Sequence, residues 1–414
     1  MRYSIRAGAN VTPIDLISDV HMCNGSNIQT ARRLGVSFAD MSPNDADKLK
    51  SLGYIVNPVK RTGAPSQVTQ IEPPSPVTAV PTYTPADISY AINTDILKQV
   101  MDPPLSGSGV NVAVLDTGIR ESHSMLQGRV VMSRNFTESG GGDGFNHGTG
   151  VASIIVGISP LINVIDCKVL DDTGEGTEEE SVLALDMLVE MHENNDVNAP
   201  DIINMSIGTE DDGNSDSILR LAIREALDAG IWIFAAAGNS GPGANTVLSP
   251  AAEQNVVAVG SCKIRTLEVS EFSSRGPSDE GLVKPDCMLF GENLLVASSE
   301  DDNGVIAKSG TSFSCPFVTG LFALVNEYYC RMLVNDPDSA AEIDNETLLS
   351  DVIPDACGKP DGVSTDKDNA YGYGIFLPEL AVEEAESIGI NASTMIEGVM
   401  MIGMMGMIVS SVGE

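Results

Sequence analysis

VNVAVLDTG, at residues 110–118, is a mainly apolar run, interrupted only by Asn111, that ends in a carboxylate, Asp116, and a glycine turn. Strands that are apolar along their whole length are typical of parallel sheets that are covered on both faces. We therefore expect a buried strand here, with Asp116 at its carboxyl end. In open sheets of this kind, functional groups gather at the carboxyl ends of the strands.

The same kind of stretch recurs further along the chain. Apolar runs at 164–170, 202–205, 231–236 and 256–259 alternate with helical stretches at 151–156, 179–192, 217–229 and 317–333. This alternation predicts an α/β fold over residues 86–385, in which a parallel β-sheet is flanked by helices on both faces.

The flanking regions differ from this central part. Residues 1–62 predict a small α+β domain, with a helix that begins at Ser42 as N-cap and Pro43 as first helical residue. Residues 63–85 contain six prolines and predict an extended linker, the kind of segment where proteases cut. Residues 386–414 form an apolar tail rich in Met and Gly, which predicts contact with a membrane or an assembly, packing on the larger domain, or a removable sorting segment.

Composition limits the classes of partner. The 414 residues carry a formal net charge of -35, which disfavours nucleic acid as a partner. The seven cysteines form no C-x-x-C pair, so neither a zinc site nor a disulfide framework is indicated. The first residues lack the apolar core of a signal peptide, and we expect a cytoplasmic protein, or one associated with a larger assembly or a membrane through its tail.

Four segments carry residues suited to nucleophilic catalysis. Asp116 ends a strand and could fix the tautomer of an imidazole. His147 lies in DGFNHGTG at 143–150, Ser312 opens a helix in SGTSFSCP at 309–316, and Asn239 lies in AAAGNSGP at 235–242. A serine at a helix start has backbone N–H groups ready for an oxyanion, and an Asn amide adds a neutral donor. Taken singly, each residue is equally suited to a turn, a cap or a structural role.

Together and in this order, the segments resemble the motifs of the subtilisin-like serine proteases. The similarity covers residues 86–385 and includes VAVLDTGI, HGTGVASIIVG and SGTSFSCPFVTG. It implies that Ser312 is the nucleophile, that His147 is the general base and that Asp116 orients the histidine. Asn239 would line the oxyanion hole together with the backbone N–H of Ser312.

The resemblance also implies a substrate cleft. Two segments would sandwich an extended peptide as a middle strand: Ser206, Ile207 and Gly208 on one side, and Gly174, Glu175 and Gly176 on the other. Ala236 and Gly238 would line the pocket for the residue that precedes the cut. Glutamates at 175 and 178–180 suggest a preference for basic residues upstream of the cut, unless they only reflect the general acidity of the chain.

Residues 1–62 are similar to the inhibitory propeptide of this family. This implies a zymogen that cuts its own linker, with a permanent accessory domain as the alternative. The chain departs from the family pattern at Gly150, where a second histidine is usual, and at Phe313, which follows the nucleophile. The segment between Ile155 and Val164 is too short for the common calcium loop, so we expect no required cofactor, although calcium elsewhere stays possible and no metal ligand can be named.

The implied function is a serine endopeptidase that acts on proteins or peptides through an acyl-enzyme. Its own N-terminal domain would be a further partner. A catalytically silent fold used for binding or scaffolding is the alternative. The sequence does not separate a general degrading enzyme from one that processes a single dedicated partner.

Overall fold

The computed structural model describes residues 1–8, 11, 16–64, 82–335, 347–360 and 362–377. Most of the predicted linker, residues 65–81, lies outside the described residues, as does the predicted tail at 386–414. Among the described residues, no helix is both long enough and apolar enough to span a bilayer.

The N-terminal unit is a small α+β domain. Its elements are β1 (Arg2–Ala7), α1 (Leu16–Met22), β2 (Ser26–Ala31), β3 (Val36–Asp40), α2 (Pro43–Ser51) and β4 (Tyr54–Pro58). The four strands form an antiparallel sheet in the order β2-β3-β1-β4, the order of a split βαβ fold. Ser42 caps α2 by accepting a hydrogen bond from the N–H of Asp45, which confirms the predicted helix start.

A short strand follows the small domain, and the larger domain begins with two short helices. These elements are β5 (Arg61–Gly63), α3 (Pro85–Ala91) and α4 (Thr94–Gln99). The predicted domain boundary at residue 62 falls inside β5, which pairs with the larger domain.

The larger domain alternates strands and helices. Its first half contains β6 (Asn111–Asp116), β7 (Val130–Asn135), α5 (Gly148–Ile158), β8 (Asn163–Lys168), β9 (Glu175–Thr177), α6 (Glu178–Glu193), β10 (Ile202–Met205) and β11 (Thr209–Glu210). Its second half contains α7 (Ile218–Asp228), β12 (Trp232–Ala236), β13 (Leu248–Ser249), β14 (Val257–Cys262), β15 (Cys287–Phe290), β16 (Leu294–Ala297), β17 (Val305–Lys308) and α8 (Thr311–Asn335). A π-helical turn (Leu348–Val352), α9 (Ile353–Asp355), β18 (Cys357–Gly358) and β19 (Ile375–Phe376) complete it.

The central sheet has nine strands in the order β18-β19-β15-β14-β12-β10-β6-β8-β7. All neighbours are parallel except β18 and β19. The carboxyl ends of the parallel strands therefore share one edge, and the predicted site residues Asp116 and Ala236 end β6 and β12 there.

Both faces of this sheet are covered. Val112 and Val114 of β6 belong to one buried core, which includes side chains of α5 and α8. Ala113 and Leu115, which alternate with them, belong to a second core with side chains of α6 and α7. The α/β prediction is confirmed, because each face of β6 packs against a separate layer of helices.

The small domain packs against the larger one through α6. Phe38 of β3 is fully buried and shares the second core with α6 side chains such as Leu185. Polar contacts surround this apolar patch. Arg2 Nε donates to Glu179 Oε2 at 2.7 Å, and the backbone N–H groups of Arg32 and Arg33 donate to Asp186 at 3.1 and 3.0 Å.

Candidate active site

Asp116 and His147 form a buried pair at the carboxyl edge of the sheet. Asp116 is the last residue of β6, and His147 is the N-cap of α5. His147 Nδ1 lies 2.7 Å from Asp116 Oδ1, and the two side chains are 0% and 1% exposed. Because Nδ1 donates to a carboxylate, the other ring nitrogen, Nε2, is left as the acceptor in the neutral imidazole.

A second carboxylate fixes the backbone around the histidine. Asp143 accepts hydrogen bonds from the backbone N–H groups of Asn146 at 2.8 Å, His147 at 3.0 Å and Thr149 at 2.9 Å. It also accepts one from the Thr117 hydroxyl at 2.8 Å, which ties the helix start to the end of β6. Sequence reasoning missed this role, although an acidic residue just before a helix start is a common capping signal.

Ser312 is the second residue of α8 and is 1% exposed. Its Oγ donates to the carbonyl oxygen of Ser206 at 3.3 Å. His147 Nε2 is buried and has no hydrogen-bond partner among the residues that the structure describes. Catalytic hydrogen bonds often form only once substrate is bound, so proton transfer would require Ser312 Oγ to leave this carbonyl and turn to Nε2.

Asn239 lies three residues after β12, beside the start of α8. Its Oδ1 accepts hydrogen bonds from both the backbone N–H and the hydroxyl of Thr311, at 2.9 and 3.0 Å. Two donors on one atom identify it as the oxygen and leave Nδ2 as the donor end of the amide. A Cβ on Gly310 would lie 3.0 Å from Nδ2, so glycine at this position leaves room for the amide.

We expect Thr311→Val to lower kcat about tenfold, because the variant loses the hydroxyl that is one of the two donors to Asn239 Oδ1. The same hydroxyl accepts a hydrogen bond from the Gly238 N–H at 3.1 Å, and this bond is lost as well. Loss of a whole oxyanion donor lowers kcat by about 10²–10³, which sets the upper limit. Steady-state kinetics on a short peptide substrate would measure the effect. Thr311→Ser keeps the hydroxyl and should stay near the wild-type rate; equal losses in both variants would contradict this role.

The two predicted substrate segments lie on either side of a middle strand, and that strand is the chain's own β5. It runs antiparallel to β9, with Thr62 opposite Gly176. On its other side, Gly63 and Gly208 exchange backbone hydrogen bonds at 3.1 and 3.0 Å. The Ala64 N–H donates to the carbonyl of Gly174 at 3.1 Å.

The side chains beside β5 differ in their exposure and in their polar partners. Ile207 is buried, whereas Glu175 is largely exposed and its Oε2 lies 3.5 Å from Arg61. Exposed pairs of this kind contribute little to stability. Glu178 and Glu179, two other glutamates of the predicted acidic rim, contact Lys60 and Arg2 of the N-terminal region.

The two departures at Gly150 and Phe313 are linked in space. A Cβ on Gly150 would lie 2.8 Å from a Val296 methyl and 3.4 Å from the Phe313 ring. That ring also packs on His147, with ring centroids 5.2 Å apart. Val296, more than Phe313, therefore limits the size of the residue at 150, and the Asp116–His147 contact forms with both departures present.

The connection between α5 and β8 is short. Helix α5 ends at Ile158 and β8 begins at Asn163. In the described part of the chain, no group of three or more His, Cys, Asp or Glu side chains is arranged to hold a metal ion.

Comparison with known proteins identifies the family. The model of the subtilase family matches residues 107–374, which contain Asp116, His147, Asn239 and Ser312. The chain belongs to the subtilase family. This subtilase resembles several curated serine proteases, which confirms the resemblance drawn from the sequence motifs.

Three relatives illustrate the similarity. Serine protease AprX of Bacillus subtilis (strain 168) is 33% identical over 53% of this chain and 58% of its own length. Subtilisin of Bacillus sp. (strain TA39) is 29% identical over 70% of this chain and 71% of its own. The major intracellular serine protease of Bacillus subtilis (strain 168) is 31% identical over 68% and 86%. The match thus spans little more than half of the first of these proteins.

Proposed function

We propose that this subtilase is a serine endopeptidase that cuts peptide bonds with Ser312, His147 and Asp116. The observation that carries the proposal is the buried 2.7 Å contact between His147 and Asp116, beside the helix that holds Ser312. The neighbouring cleft already holds an extended peptide strand, β5, between two strand edges.

The chemistry follows from these positions. Ser312 Oγ attacks the carbonyl carbon of the substrate while its proton passes to His147 Nε2. The negative charge that develops on the carbonyl oxygen is stabilised by Asn239 Nδ2 and by the Ser312 N–H, which lies in the first turn of α8 where no earlier helical carbonyl can accept it. The imidazolium then gives its proton to the leaving amine as the C–N bond breaks. Water repeats the sequence on the acyl-enzyme and releases the acid.

Asp116 supports both steps. Its carboxylate holds Nδ1 as the donor, so that Nε2 faces the nucleophile as a base, and it stabilises the imidazolium that forms transiently. Burial strengthens this interaction, since charges separated from water are screened less.

We further propose that the N-terminal domain inhibits the enzyme until the chain cuts itself. Strand β5 occupies the position that a substrate would take. Gly63 of this strand pairs with Gly208, and Ser206, two residues before Gly208, has the carbonyl that accepts a hydrogen bond from the Ser312 hydroxyl. A cut within the first few residues after Ala64 would agree with this register.

A fluorophosphonate probe tests the proposed chemistry directly. It should label the purified chain at Ser312 once the N-terminal domain has been removed, and peptide mapping by mass spectrometry would locate the adduct. Heat-unfolded protein is the control and should not be labelled. Absence of labelling on folded, processed protein would favour the silent binding fold instead.

The small domain should dissociate more readily as the pH rises. Burial raises the pKa of Glu178 to about 7, although it accepts the Lys60 N–H at 3.3 Å and lies near the Lys60 charge. Burial also raises the pKa of Glu180 and of Asp186. A carboxyl whose pKa is raised in the complex favours the complex at low pH, and that contribution is lost as the pH passes about 7.

We therefore expect the cleaved N-terminal fragment to bind at least about tenfold more weakly at pH 8.5 than at pH 6, since one pKa unit corresponds to a factor of ten. Size-exclusion chromatography of processed protein, inactivated with a fluorophosphonate, would measure the fraction of the N-terminal fragment that stays bound to the larger domain at each pH. Glu178→Gln, which cannot ionise, should reduce the pH dependence. Tighter retention at pH 8.5 would contradict the prediction.

A further inference from the structure

The resemblance to subtilases assigns two glycines from different segments to the substrate cleft. Gly208 follows β10 and pairs with the middle strand, and Gly238 follows β12. Gly238 has a φ of 112°, which favours glycine. Two facing positions without side chains would ordinarily leave an open slot between them.

Here the slot is filled by one side chain, that of Leu248. A Cβ on Gly208 would lie 2.9 Å from Leu248 Cδ1, and a Cβ on Gly238 would lie 2.7 Å from Leu248 Cγ and 3.0 Å from its Cδ1. The leucine therefore touches both glycines at once and occupies the volume between them.

The backbone holds this leucine in place. Its N–H donates to the carbonyl of Ala237 at 3.0 Å, and β13 pairs with β11 so that Leu248 is opposite Glu210. The neighbouring residues Val247 and Ser249 are 4% and 5% exposed, whereas Leu248 itself is partly exposed. A partly exposed apolar side chain between two buried neighbours faces an opening.

A second space lies on the other side of this side chain. Leu248 also borders a cavity of about 190 Å³, together with Ser240, Thr246 and Asp279. Neither Gly208 nor Gly238 borders that cavity, so Leu248 stands between it and the cleft.

We propose that Leu248 forms the floor of a shallow pocket and restricts this subtilase to peptides with a small residue, such as glycine, alanine or serine, immediately before the cut. The proposal deepens the proposed peptidase function and rests on it.

Peptides that differ only in the residue before the cut test the proposal, with the enzyme obtained when the full chain has processed itself. One methylene too many in an apolar pocket changes kcat/KM by about 10–200-fold, so we expect the alanine peptide to be cut at least 100-fold faster than the phenylalanine peptide. Leu248→Gly joins the cleft to the cavity and should raise the phenylalanine-to-alanine ratio at least tenfold. Leu248→Met conserves volume and is the matched control, with a ratio close to that of wild type.

The outcomes distinguish a failure of the Leu248 role from a failure of the peptidase function. If the probe labels Ser312 but wild type cuts both peptides equally, or Leu248→Gly leaves the ratio unchanged, the role of Leu248 is overturned while the peptidase function stands. If neither labelling nor cleavage occurs, the peptidase function fails, and this inference fails with it. Leu248→Ala serves if the glycine variant does not fold, with labelling by the probe as the measure of an intact site.

Discussion

Replacing Ser312 with alanine is expected to lower kcat by about 10⁶ and to leave the chain uncut. The scale is the one found in subtilisin itself, where removing the nucleophile alone abolishes nearly all of the triad's contribution. Alanine lacks the only atom that can form the acyl bond, whereas the Asp116–His147 contact and the helix start stay in place. Intact mass spectrometry would show wild type losing a fragment that ends shortly after Ala64, while Ser312→Ala keeps its full mass.

The neighbouring serine provides the control for this experiment. Ser314 is also fully buried, and its hydroxyl donates to the carbonyl of Thr311 at 3.1 Å. Ser314→Ala should therefore process itself and cleave peptides like wild type, apart from a modest loss of stability. If Ser312→Ala shed the same fragment at the same rate as wild type, neither self-cleavage nor the assigned nucleophile would stand.

Replacing Asp116 with asparagine is expected to lower kcat by about 10⁴, with little change in KM. The asparagine amide fills the same space but can donate to Nδ1, which favours the tautomer that carries its proton on Nε2. That tautomer cannot accept the Ser312 proton, and the imidazolium loses its buried counter-charge. Kinetics on a peptide substrate and the rate of fluorophosphonate labelling would both report the loss.

Asp302→Asn is a suitable control for removing one carboxylate. Asp302 is about half exposed and lies 2.8 Å from Arg120, a surface pair whose loss matters little. The kcat of Asp302→Asn should stay within about twofold of wild type. A full rate in Asp116→Asn would mean that another group orients His147.

Much of the fold could be predicted because the chain repeats one physical pattern. Strands such as Trp232–Ala236 are buried on both faces and are therefore apolar at every position. The predicted helix at 217–229 is found at Ile218–Asp228, with Ser217 as its N-cap. The candidate site could be found because its residues lie in motifs at the ends of these elements.

Other parts could not be predicted because their signals are short or depend on distant contacts. Strands β9, β11 and β13 have two or three residues, too few for an alternating pattern to show. The pairing of Gly63 with Gly208 joins residues far apart in the chain. The roles of Asp143, Thr311 and Leu248 likewise depend on neighbours that only the folded chain brings together.

The middle strand has a consequence for how activity would depend on concentration. In the proposed inhibition, β5 would compete with any substrate at a fixed local concentration while it is joined to the rest of the chain, and this concentration is of millimolar order for a short tether. Once the tether is cut, the same strand becomes a separate molecule, and its hold on the cleft weakens with dilution. A processed sample would then become more active per molecule when diluted, because dilution alone would release the strand from the cleft.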